Sequence, residues 1–389
     1  MVPELPLELP VQPVEKPILC SPYVEPHDHW MYDRQTGTPR RAGFRRSAGY
    51  WYKTERTGSA QISLFAEEDR DDLPLVNKLR EEVRRWRAAD YRGASHVTKA
   101  LFHHWTREDR LRRLFFCQRE AVETLIYLVE LRLPGKSGRT GFRNFEVSDD
   151  DLRRLMQGTR PTFDLPQSDY FPTLVDIPAD ASVLPLRRLG CKMATGAGKT
   201  VVMAMLITWA FCNRGINPQS QEFPHAVLVC CPNLTVKERL QVLRPDRQDN
   251  YYTAFDLVPL KYRPLLQKGK VLITNWHAFA PESEHKEGDR TYAVVNKGPE
   301  TPAVFARRVL GDLTDRTPIM VLNDEGHHCW RPAPDSNVKS LAGDEKTDFE
   351  AEVQEATVWI DGLDRLNNAL DTGTPGIAWC VDLSATPFY

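Results

Sequence analysis

The hydrophobic pattern of this chain alternates between short apolar runs and longer segments with helical repeats. Five runs have the near-continuous apolar character of strands that are buried on both faces of a parallel sheet. They are residues 186–193, 227–231, 270–274, 318–322 and 378–384. Helical segments separate these runs, so the pattern predicts an α/β fold with one parallel sheet and helices on both faces. Polar residues that follow such strands are expected at the C-terminal edge of the sheet, where open α/β sheets bind ligands.

Apolar residues also recur at helical spacing outside these runs. The repeats predict an amphipathic helix over residues 73–90, whose other face carries several Arg side chains, and a helical segment over residues 111–129 around Gln118. A further repeat predicts a helix over residues 349–366. Residues 1–30 are rich in Pro, which predicts an extended segment with turns at the Pro residues.

The composition agrees with a folded protein of more than one unit. A length of 389 residues corresponds to two or three units at about 100–200 residues per domain. The hydrophobic fraction of 41% is enough for a buried core, and the net charge of −2 does not by itself indicate nucleic-acid binding. However, seven Lys or Arg residues and one acidic residue lie between Arg34 and Arg56, around Tyr50-Trp51-Tyr52. Such residues can contact phosphates and bases, and a solvated loop with a buried aromatic turn explains them equally well.

The cysteines and the chain start bear on the cellular compartment. The eight cysteines form no Cys-x-x-Cys pair, and several lie in apolar runs, which predicts reduced and buried thiols. The first residues are rich in Pro and Glu and do not resemble a signal peptide. The longest apolar runs fall far short of a membrane span. We therefore expect a cytoplasmic protein without a membrane partner.

Residues 193–200, Met-Ala-Thr-Gly-Ala-Gly-Lys-Thr, form a Gly-rich phosphate-binding loop. The Gly residues let backbone N–H groups turn inward around phosphate oxygens, Lys199 can reach the β- and γ-phosphates, and the Thr200 hydroxyl can bind Mg²⁺. A predicted strand precedes the loop and an apolar helical pattern over residues 200–211 follows it, so the loop lies at a helix N-terminus that favours anions. The predicted nucleotide-binding residues are Thr195, Gly196, Ala197, Gly198, Lys199 and Thr200.

Residues 323–328, Asn-Asp-Glu-Gly-His-His, follow the apolar run at 318–322. In a P-loop ATPase, one carboxylate at a strand end holds Mg²⁺ and a second orients or deprotonates the attacking water. We assign these catalytic roles to Asp324 and Glu325, together with Lys199. The alternatives are a solvated acidic pair, and a zinc site of the two His residues with Cys329, which lacks the second ligand pair of such sites.

Ser384-Ala385-Thr386-Pro387 closes the last apolar run and alone predicts only a strand and a turn. Its position after the other two segments is more informative. Ala-Thr-Gly-Ala-Gly-Lys-Thr, Asp-Glu-Gly-His and Ser-Ala-Thr-Pro together resemble motifs I, II and III of superfamily 2 helicases and translocases. The closest resemblance is to the motor (Res) subunit of type III restriction enzymes and related DEAD/DEAH-type restriction helicases, and it covers about residues 111–389.

This resemblance implies a motor that binds and hydrolyses ATP with Mg²⁺. In relatives, a Gln at the place of Gln118 reads the adenine edge. His327, Ser384 and Thr386 occupy positions that, in relatives, pass the state of the γ-phosphate to the bound nucleic acid.

The resemblance also implies a nucleic-acid partner. Residues 232–235 and 273–279 resemble DNA-facing motifs of the superfamily. At the matching positions, Thr235, Thr274 and Asn275 are expected to donate to the backbone of duplex DNA, which positions a strand without reading bases.

The same resemblance predicts how the chain is divided. Residues 1–110 form a mixed N-terminal accessory region, and residues 111–389 form a first RecA-like helicase lobe with insertions at about 133–185 and 330–376. Relatives hydrolyse ATP between two such lobes, and the second lobe supplies an arginine finger typically worth about 10³–10⁵ in rate. The chain stops three residues after Thr386. We therefore expect the second lobe, and any nuclease or methyltransferase subunit, on another chain or in a longer form of this one.

Some short patterns point elsewhere and are weaker. Gly-Lys-Ser at 135–137 lacks the upstream Gly of a phosphate loop and follows a helix rather than a strand. His27-Asp28-His29 fits a surface loop better than a metal site. Two combinations match the letters of a metal-dependent nuclease without lying on evident strands: 334–335 with 344–346, and 245–246 with 284–286.

Three functions remain open from the sequence. The first is the ATP-binding lobe of a DNA translocase in a restriction or defence system, and the second is a DNA-repair or RNA helicase. The third is a nucleotide-dependent nucleic-acid-binding module without turnover of its own. Asp324 and Glu325 argue against a degenerate site, whereas a missing second lobe favours the third function if this chain is the natural product.

Overall fold

The computed structural model describes residues 12–33, 36–51, 70–132, 148–149, 183–280, 300–332, 344–373 and 376–385. Several sequence predictions fall outside these ranges: Thr386, the rejected loop at 135–137, part of the basic run, nearly all of the first insertion, and the segments 284–286 and 334–335.

The described strands form two small antiparallel pairs and one five-stranded parallel sheet. They are β1 (His29–Tyr32), β2 (Pro39–Ala42), β3 (Gly49–Trp51), β4 (Arg70–Asp72), β5 (Arg188–Lys192), β6 (Ala226–Cys231), β7 (Lys270–Asn275), β8 (Ile319–Asp324) and β9 (Ile377–Ser384). The parallel sheet has the order β5-β9-β8-β6-β7. Strand β9 thus lies between the strand that enters the phosphate loop and the strand that ends in Asp324.

Strand β6 shows why the sheet is covered on both faces. All of its residues are buried, and its side chains alternate between two apolar clusters. Val227 and Val229 belong to one cluster, whereas Leu228 and Cys230 belong to the other. Because successive side chains of a strand point to opposite faces, a fully apolar strand requires helices on both sides.

The described helices provide that cover. They are α1 (Pro74–Ala88), α2 (His96–Thr106), α3 (Phe116–Tyr127), α4 (Lys199–Ile216), α5 (Leu234–Leu240), α6 (Tyr251–Ala254), α7 (Arg263–Leu266), α8 (Pro302–Leu310) and α9 (Asp344–Leu370). Helices α1 to α4 contribute to the cluster on one face, and α8 and α9 contribute to the cluster on the other. The predicted fold class, a RecA-like α/β lobe with a parallel sheet between two helical layers, is confirmed.

The predicted strand bounds agree with the structure to within two residues. Three helices differ by five residues at one end: α4 ends at Ile216 and not at 211, α9 begins at Asp344 and not at 349, and α3 begins later than predicted. The repeat over residues 111–129 predicts a helix, but α3 begins only at Phe116. Leu111 is fully exposed, and the backbone of Phe115 is extended. The Gln118 side-chain oxygen accepts the N–H of Phe115 at 3.0 Å, which caps the helix at this point as in a capping box.

The N-terminal region packs on the same core as the lobe. Leu79, Val83 and Trp86 of α1 and Leu101 of α2 belong to the cluster that covers one face of the sheet. Helices from both predicted regions therefore share one apolar cluster, and a domain boundary near residue 110 remains a prediction.

The described part of the basic run contains Arg side chains that are paired within the protein. Arg45 donates to Glu120 at 2.6 Å and to Glu25 at 3.0 Å, and Arg41 is paired with Asp28. At these two positions protein carboxylates take the place that nucleic-acid phosphates would occupy.

The burial of the thiols agrees with the sequence prediction. Six of the eight cysteines are buried, namely Cys191, Cys212, Cys230, Cys231, Cys329 and Cys380. Burial raises the pKa of the Cys191 and Cys212 thiols to about 12, so both stay protonated at neutral pH. Within the described ranges, no helix is both long enough and apolar enough to span a membrane.

Candidate nucleotide-binding site

The predicted phosphate loop joins β5 to α4 and has the backbone of a tight turn. Gly196 and Gly198 have positive φ angles of 78° and 87°, which other residues rarely adopt. Gly198 is also the N-cap of α4. A Cβ at Gly198 would lie 2.2 Å from Nε2 of Gln118, so the loop needs Gly there for both conformation and space. Thr195 and Gly196 are exposed, which leaves the loop open to a ligand.

Gln118 is buried against this loop. Its Nε2 donates to the carbonyl of Ala197 at 3.0 Å, while its oxygen caps the N-terminus of α3. Both ends of the side-chain amide thus contact the protein backbone, and the side chain is 4% exposed. The structure shows Gln118 as a support for the phosphate loop, and its role in reading adenine stays a prediction.

The phosphate loop and the acidic pair meet at the C-terminal edge of the sheet. Nζ of Lys199, the first residue of α4, lies 2.8 Å from Oε1 of Glu325 although the two residues are 126 positions apart in the chain. Asp324, the last residue of β8, precedes Glu325 directly. The separate segments proposed from the sequence therefore form one site.

Glu325 has a backbone conformation that aims it at Lys199. Its φ and ψ angles are 52° and 46°, in the left-handed region. A non-Gly residue keeps such a conformation at some energetic cost, and residues of this kind concentrate at functional sites. The chain then continues as a short 3₁₀ turn, Gly326–His328. The Glu325 carboxylate, directly before this turn, lies beside the phosphate loop through its contact with Lys199.

Asp324 is a buried carboxylate, and the nearby positive charge does not offset the effect of burial on its pKa. It is 8% exposed, and burial together with the charge of Glu325 raises its pKa to about 6, against a smaller opposing effect of Lys199. A divalent cation would remove this penalty because it favours the ionised carboxylate. The chemistry of Asp324 therefore fits a Mg²⁺ ligand, and the role of the Thr200 hydroxyl, at the start of α4, stays a prediction.

His327 and Ser384 join the acidic segment to the last strand. The Nδ1 atom of His327 lies 2.8 Å from Oγ of Ser384. Burial, followed by the charge of His328, lowers the pKa of His327, so the ring is neutral at physiological pH. In addition, the N–H of Met193 donates to the carbonyl of Ser384 at 2.8 Å. Ser384 therefore contacts both the phosphate loop and the acidic segment, and its role in passing the nucleotide state to nucleic acid stays a prediction.

The residues predicted to face nucleic acid differ in exposure. Thr235 is exposed near the start of α5, and Asn275 is half-buried at the end of β7. Strands β6 and β7 are adjacent, with Cys231 opposite Asn275, so both predicted contacts lie at the edge that carries the phosphate loop. Thr274 is 7% exposed and its hydroxyl donates to the Asn275 carbonyl at 3.4 Å. Its side chain points into the protein, because strand alternation turns it away from the surface that exposes its neighbour.

A polar network near the acidic pair was not predicted from the sequence. Arg188, Asn323 and Asp382 are hydrogen-bonded between neighbouring strands of the sheet. Asp382 is 3% exposed. An acidic residue within an otherwise apolar run was the available signal, but nothing in the sequence showed which partners would satisfy it.

A possible metal-binding group lies away from this site. Ligand atoms of Cys20, His27 and Asp28 lie within 4.8 Å of one another. Asp28 already pairs with Arg41, so its carboxylate is compensated without a metal. Among the residues that the structure describes, the His-His-Cys segment after Glu325 forms no such group, which removes support from the zinc alternative.

Comparisons with known proteins add little to this geometry. No protein-family model matches the chain, and no curated protein matches it. Among solved structures, the chain is similar to the crystal structure of T4 UvsW, with 12% sequence identity and a TM-score of 0.27. The similarity covers 87% of this chain and 47% of T4 UvsW, so the chain spans about half the length of that protein. A likeness of this degree carries no functional conclusion, and the function has to be inferred from the site itself.

Proposed function

We propose that this chain is the ATP-binding and ATP-hydrolysing lobe of a superfamily 2 helicase or translocase. The observation that supports this most is the 2.8 Å contact between Lys199 and Glu325. It joins the phosphate loop to an acidic pair whose other member, Asp324, is buried at a strand end. Phosphoryl transfer needs these groups in one place, because a cation must meet the phosphates, one carboxylate must hold Mg²⁺ and another must act on water.

Each residue has a defined task in this proposal. Backbone N–H groups of the phosphate loop bind phosphate oxygens, and Lys199 contacts the β- and γ-phosphates. Thr200 and Asp324 would hold Mg²⁺, which neutralises charge on the phosphates when it is bound. Glu325 orients the attacking water and accepts its proton while the bond from the γ-phosphorus to the bridging oxygen breaks. The products are ADP and inorganic phosphate.

The nucleic-acid part of the proposal rests on Thr235 and Asn275, whose polar groups lie at the same sheet edge and can donate to a phosphate backbone. Thr274 is left out because its hydroxyl is buried and bonded within the protein. Duplex DNA is the proposed partner. A type III-like restriction or defence setting, with a second lobe or a nuclease or methyltransferase subunit on another chain, is supported by the resemblance of the motifs alone.

Nucleotide titration and a hydrolysis assay test the proposal. A fluorescent ATP analogue with Mg²⁺ should bind the wild-type chain, and excess protein should release phosphate slowly from ATP. Lys199→Ala should neither bind nor hydrolyse, and unchanged affinity in this variant would overturn the proposal. Duplex DNA, single-stranded DNA and RNA of equal length are then compared as stimulants of phosphate release. Stimulation by RNA alone would favour an RNA helicase over a DNA translocase.

A nucleotide-dependent binding module without its own turnover is the second candidate. One observation favours it: Glu325 is held by Lys199, and a carboxylate in an ion pair is a poor base for water. In that case, wild-type protein and Glu325→Gln would bind the analogue alike. Neither would release phosphate, even with excess protein and saturating DNA.

A further inference from the structure

Three polar side chains lie together between β5, β8 and β9, next to the acidic pair: Asn323 and Asp382 are buried, and Arg188 is half-buried. Asp382 is central: its Oδ2 accepts from Nε of Arg188 at 2.9 Å, and its Oδ1 accepts from Nδ2 of Asn323 at 2.6 Å. Trp359 of α9 donates to Oδ1 of Asn323 at 3.2 Å. Asn323 and Asp382 are 0% and 3% exposed. Because water cannot replace a lost partner at these depths, the network holds its members in one arrangement.

The network reaches both ends of the segment that carries the acidic pair. Asn323 immediately precedes Asp324 in β8. At the other end, Arg188 donates to the backbone carbonyl of Cys329, the residue after the 3₁₀ turn. Arg188 therefore uses its planar guanidinium to contact a carboxylate and a carbonyl at once, which its fork of donors allows.

The middle of the segment is also fixed by Asp382. Gly326 packs so closely on this residue that an added Cβ would lie 2.7 Å from the Asp382 Cβ and 2.9 Å from its Cα. The turn that follows Glu325 thus rests directly on the strand that bears Asp382. Arg188 and Asp382 therefore contact the segment at three places. These are Asn323 before the acidic pair, Gly326 in the 3₁₀ turn and Cys329 after it.

We propose that Arg188 and Asp382 are positioning residues for Asp324 and Glu325. The proposal rests on the function proposed above. Arg188 acts on the segment through the Cys329 carbonyl, and Asp382 acts on it through the Asn323 side chain and by its packing on Gly326. Such support matters since Glu325 has a left-handed backbone, which persists only where the surrounding structure enforces it. Misplacement of a catalytic group by about 1 Å can lower a rate about 10²-fold.

The competing interpretation is a buried ion pair that only stabilises the fold. Arg188→Lys separates the two, since a Lys ammonium keeps a positive charge near Asp382 but lacks the planar fork that also reaches the Cys329 carbonyl. Arg187→Lys is the matched control. The Arg187 guanidinium lies 5.4 Å from the ring centroid of Trp379, so its side chain packs outside the network.

Four quantities are measured on the full chain: the melting temperature, the affinity for a fluorescent ATP analogue, the Mg²⁺ concentration that gives half-maximal analogue binding, and the single-turnover rate of phosphate release. For Arg188→Lys we expect analogue affinity at saturating Mg²⁺ within about twofold of wild type. Phosphate release should be about 10–100-fold slower, and several-fold more Mg²⁺ should be needed. Arg187→Lys should match wild type in all four.

A wild-type release rate and Mg²⁺ requirement in folded Arg188→Lys would overturn the positioning role. A loss of release in folded Arg188→Lys that merely follows a loss of analogue affinity would also overturn it. Where Arg188→Lys does not fold, Asp382→Asn takes its place, because it keeps the side-chain shape while it disrupts one bond of the network. Lys199→Ala is measured in parallel. If it binds the analogue like wild type, the proposed function fails; if it does not bind and Arg188→Lys is normal, only the positioning role fails.

Discussion

The ammonium of Lys199 and the carboxylate of Glu325 form an ion pair with 2.8 Å between Nζ and Oε1. The cation that should meet the γ-phosphate is thus neutralised by the carboxylate that should act on water. A phosphate group that reaches Lys199 competes with Glu325 for it. Under the proposed function, a nucleotide that binds Lys199 would release the Glu325 carboxylate, which could then act on water.

Glu325→Gln should separate binding from turnover. The variant keeps the size of the side chain and removes the charge that holds Lys199. A partly exposed ion pair is worth about 0.2–1 kcal/mol, so we expect analogue affinity to be unchanged or up to about fivefold tighter. Phosphate release should disappear because water loses its proton acceptor. Titration and single-turnover hydrolysis measure the two effects, and clearly weaker binding would contradict this account of the ion pair.

Lys199→Ala should lower affinity for Mg²⁺-ATP by about 100-fold or more, because a charge-assisted contact to phosphate is lost. Lys192→Ala provides the control. Lys192 is exposed on β5 just before the same loop, so its removal changes the net charge equally without touching the proposed site. Equal losses of affinity in both variants would indicate a general charge effect in place of a specific phosphate contact.

Asp324→Asn should stabilise the protein in buffer without divalent cations. The pKa of Asp324 is raised from 3.8 to about 6, so the folded state holds the proton more tightly than the unfolded state. The stability that protonation confers is complete below about pH 4 and is lost as pH rises through about 6. The variant should therefore exceed wild type by up to about 3 kcal/mol above pH 7 and by little at pH 4. Denaturant unfolding at both pH values measures this, with Glu238→Gln, on the exposed face of α5, as control; a constant gap would contradict the assigned cause.

Ser384→Ala should weaken communication between nucleotide and DNA. It removes the hydroxyl that pairs with Nδ1 of His327 and leaves the backbone bond to Met193 in place. We expect the affinities for ATP and for DNA each to change less than about threefold, the scale of a single neutral hydrogen bond. DNA-stimulated hydrolysis should fall more strongly, in a protein that includes a second lobe. Full stimulation in this variant would show that Ser384 only ends a strand.

Arg45→Ala should affect stability rather than nucleic-acid binding. Arg45 lies between Glu25 and Glu120, and its side chain is 23% exposed. Its removal leaves Glu120 without this partner at 13% exposure, for which we expect a loss of about 1–3 kcal/mol in unfolding free energy. Arg40→Ala, at an exposed position of the same run, should leave stability unchanged. Melting curves and DNA titrations of both variants distinguish an effect on stability from an effect on nucleic-acid binding. A selective loss of DNA affinity in Arg45→Ala would restore the phosphate-binding interpretation of this residue.

The strands of the sheet were predictable because they are apolar on both faces. A short run of apolar residues such as 227–231 is best buried as a strand that is covered on both faces. The observed bounds of β6 agree with this run to within one residue. The proximity of the phosphate loop and the acidic pair was predictable for a chemical reason, since a Mg²⁺-nucleotide site needs a cation and carboxylates in one place. Lys199 and Glu325 are accordingly in contact in the structure.

Other features depended on tertiary contacts that local patterns do not contain. The helix around Gln118 starts late because that side chain caps it, although the apolar repeat extends further upstream. Thr274 resembled a nucleic-acid contact but lies on the buried side of its strand end. The network around Asp382 depends on Arg188, which lies on β5, 194 positions earlier in the sequence. Pairings of this kind become visible only once the order of the strands is known.

The pairing of β5 has a consequence for synthesis on the ribosome. Within the described sheet, β5 has β9 as its only neighbour, with Arg188 opposite Cys380. During synthesis, β5 leaves the exit tunnel well before its partner. The ribosome must add roughly two hundred further residues before β9 is available to pair with β5. Until then, β5 is an unpaired edge and the apolar residues of α4 lack their full cover. Translation speed and chaperone access over this interval should therefore affect the yield of folded protein.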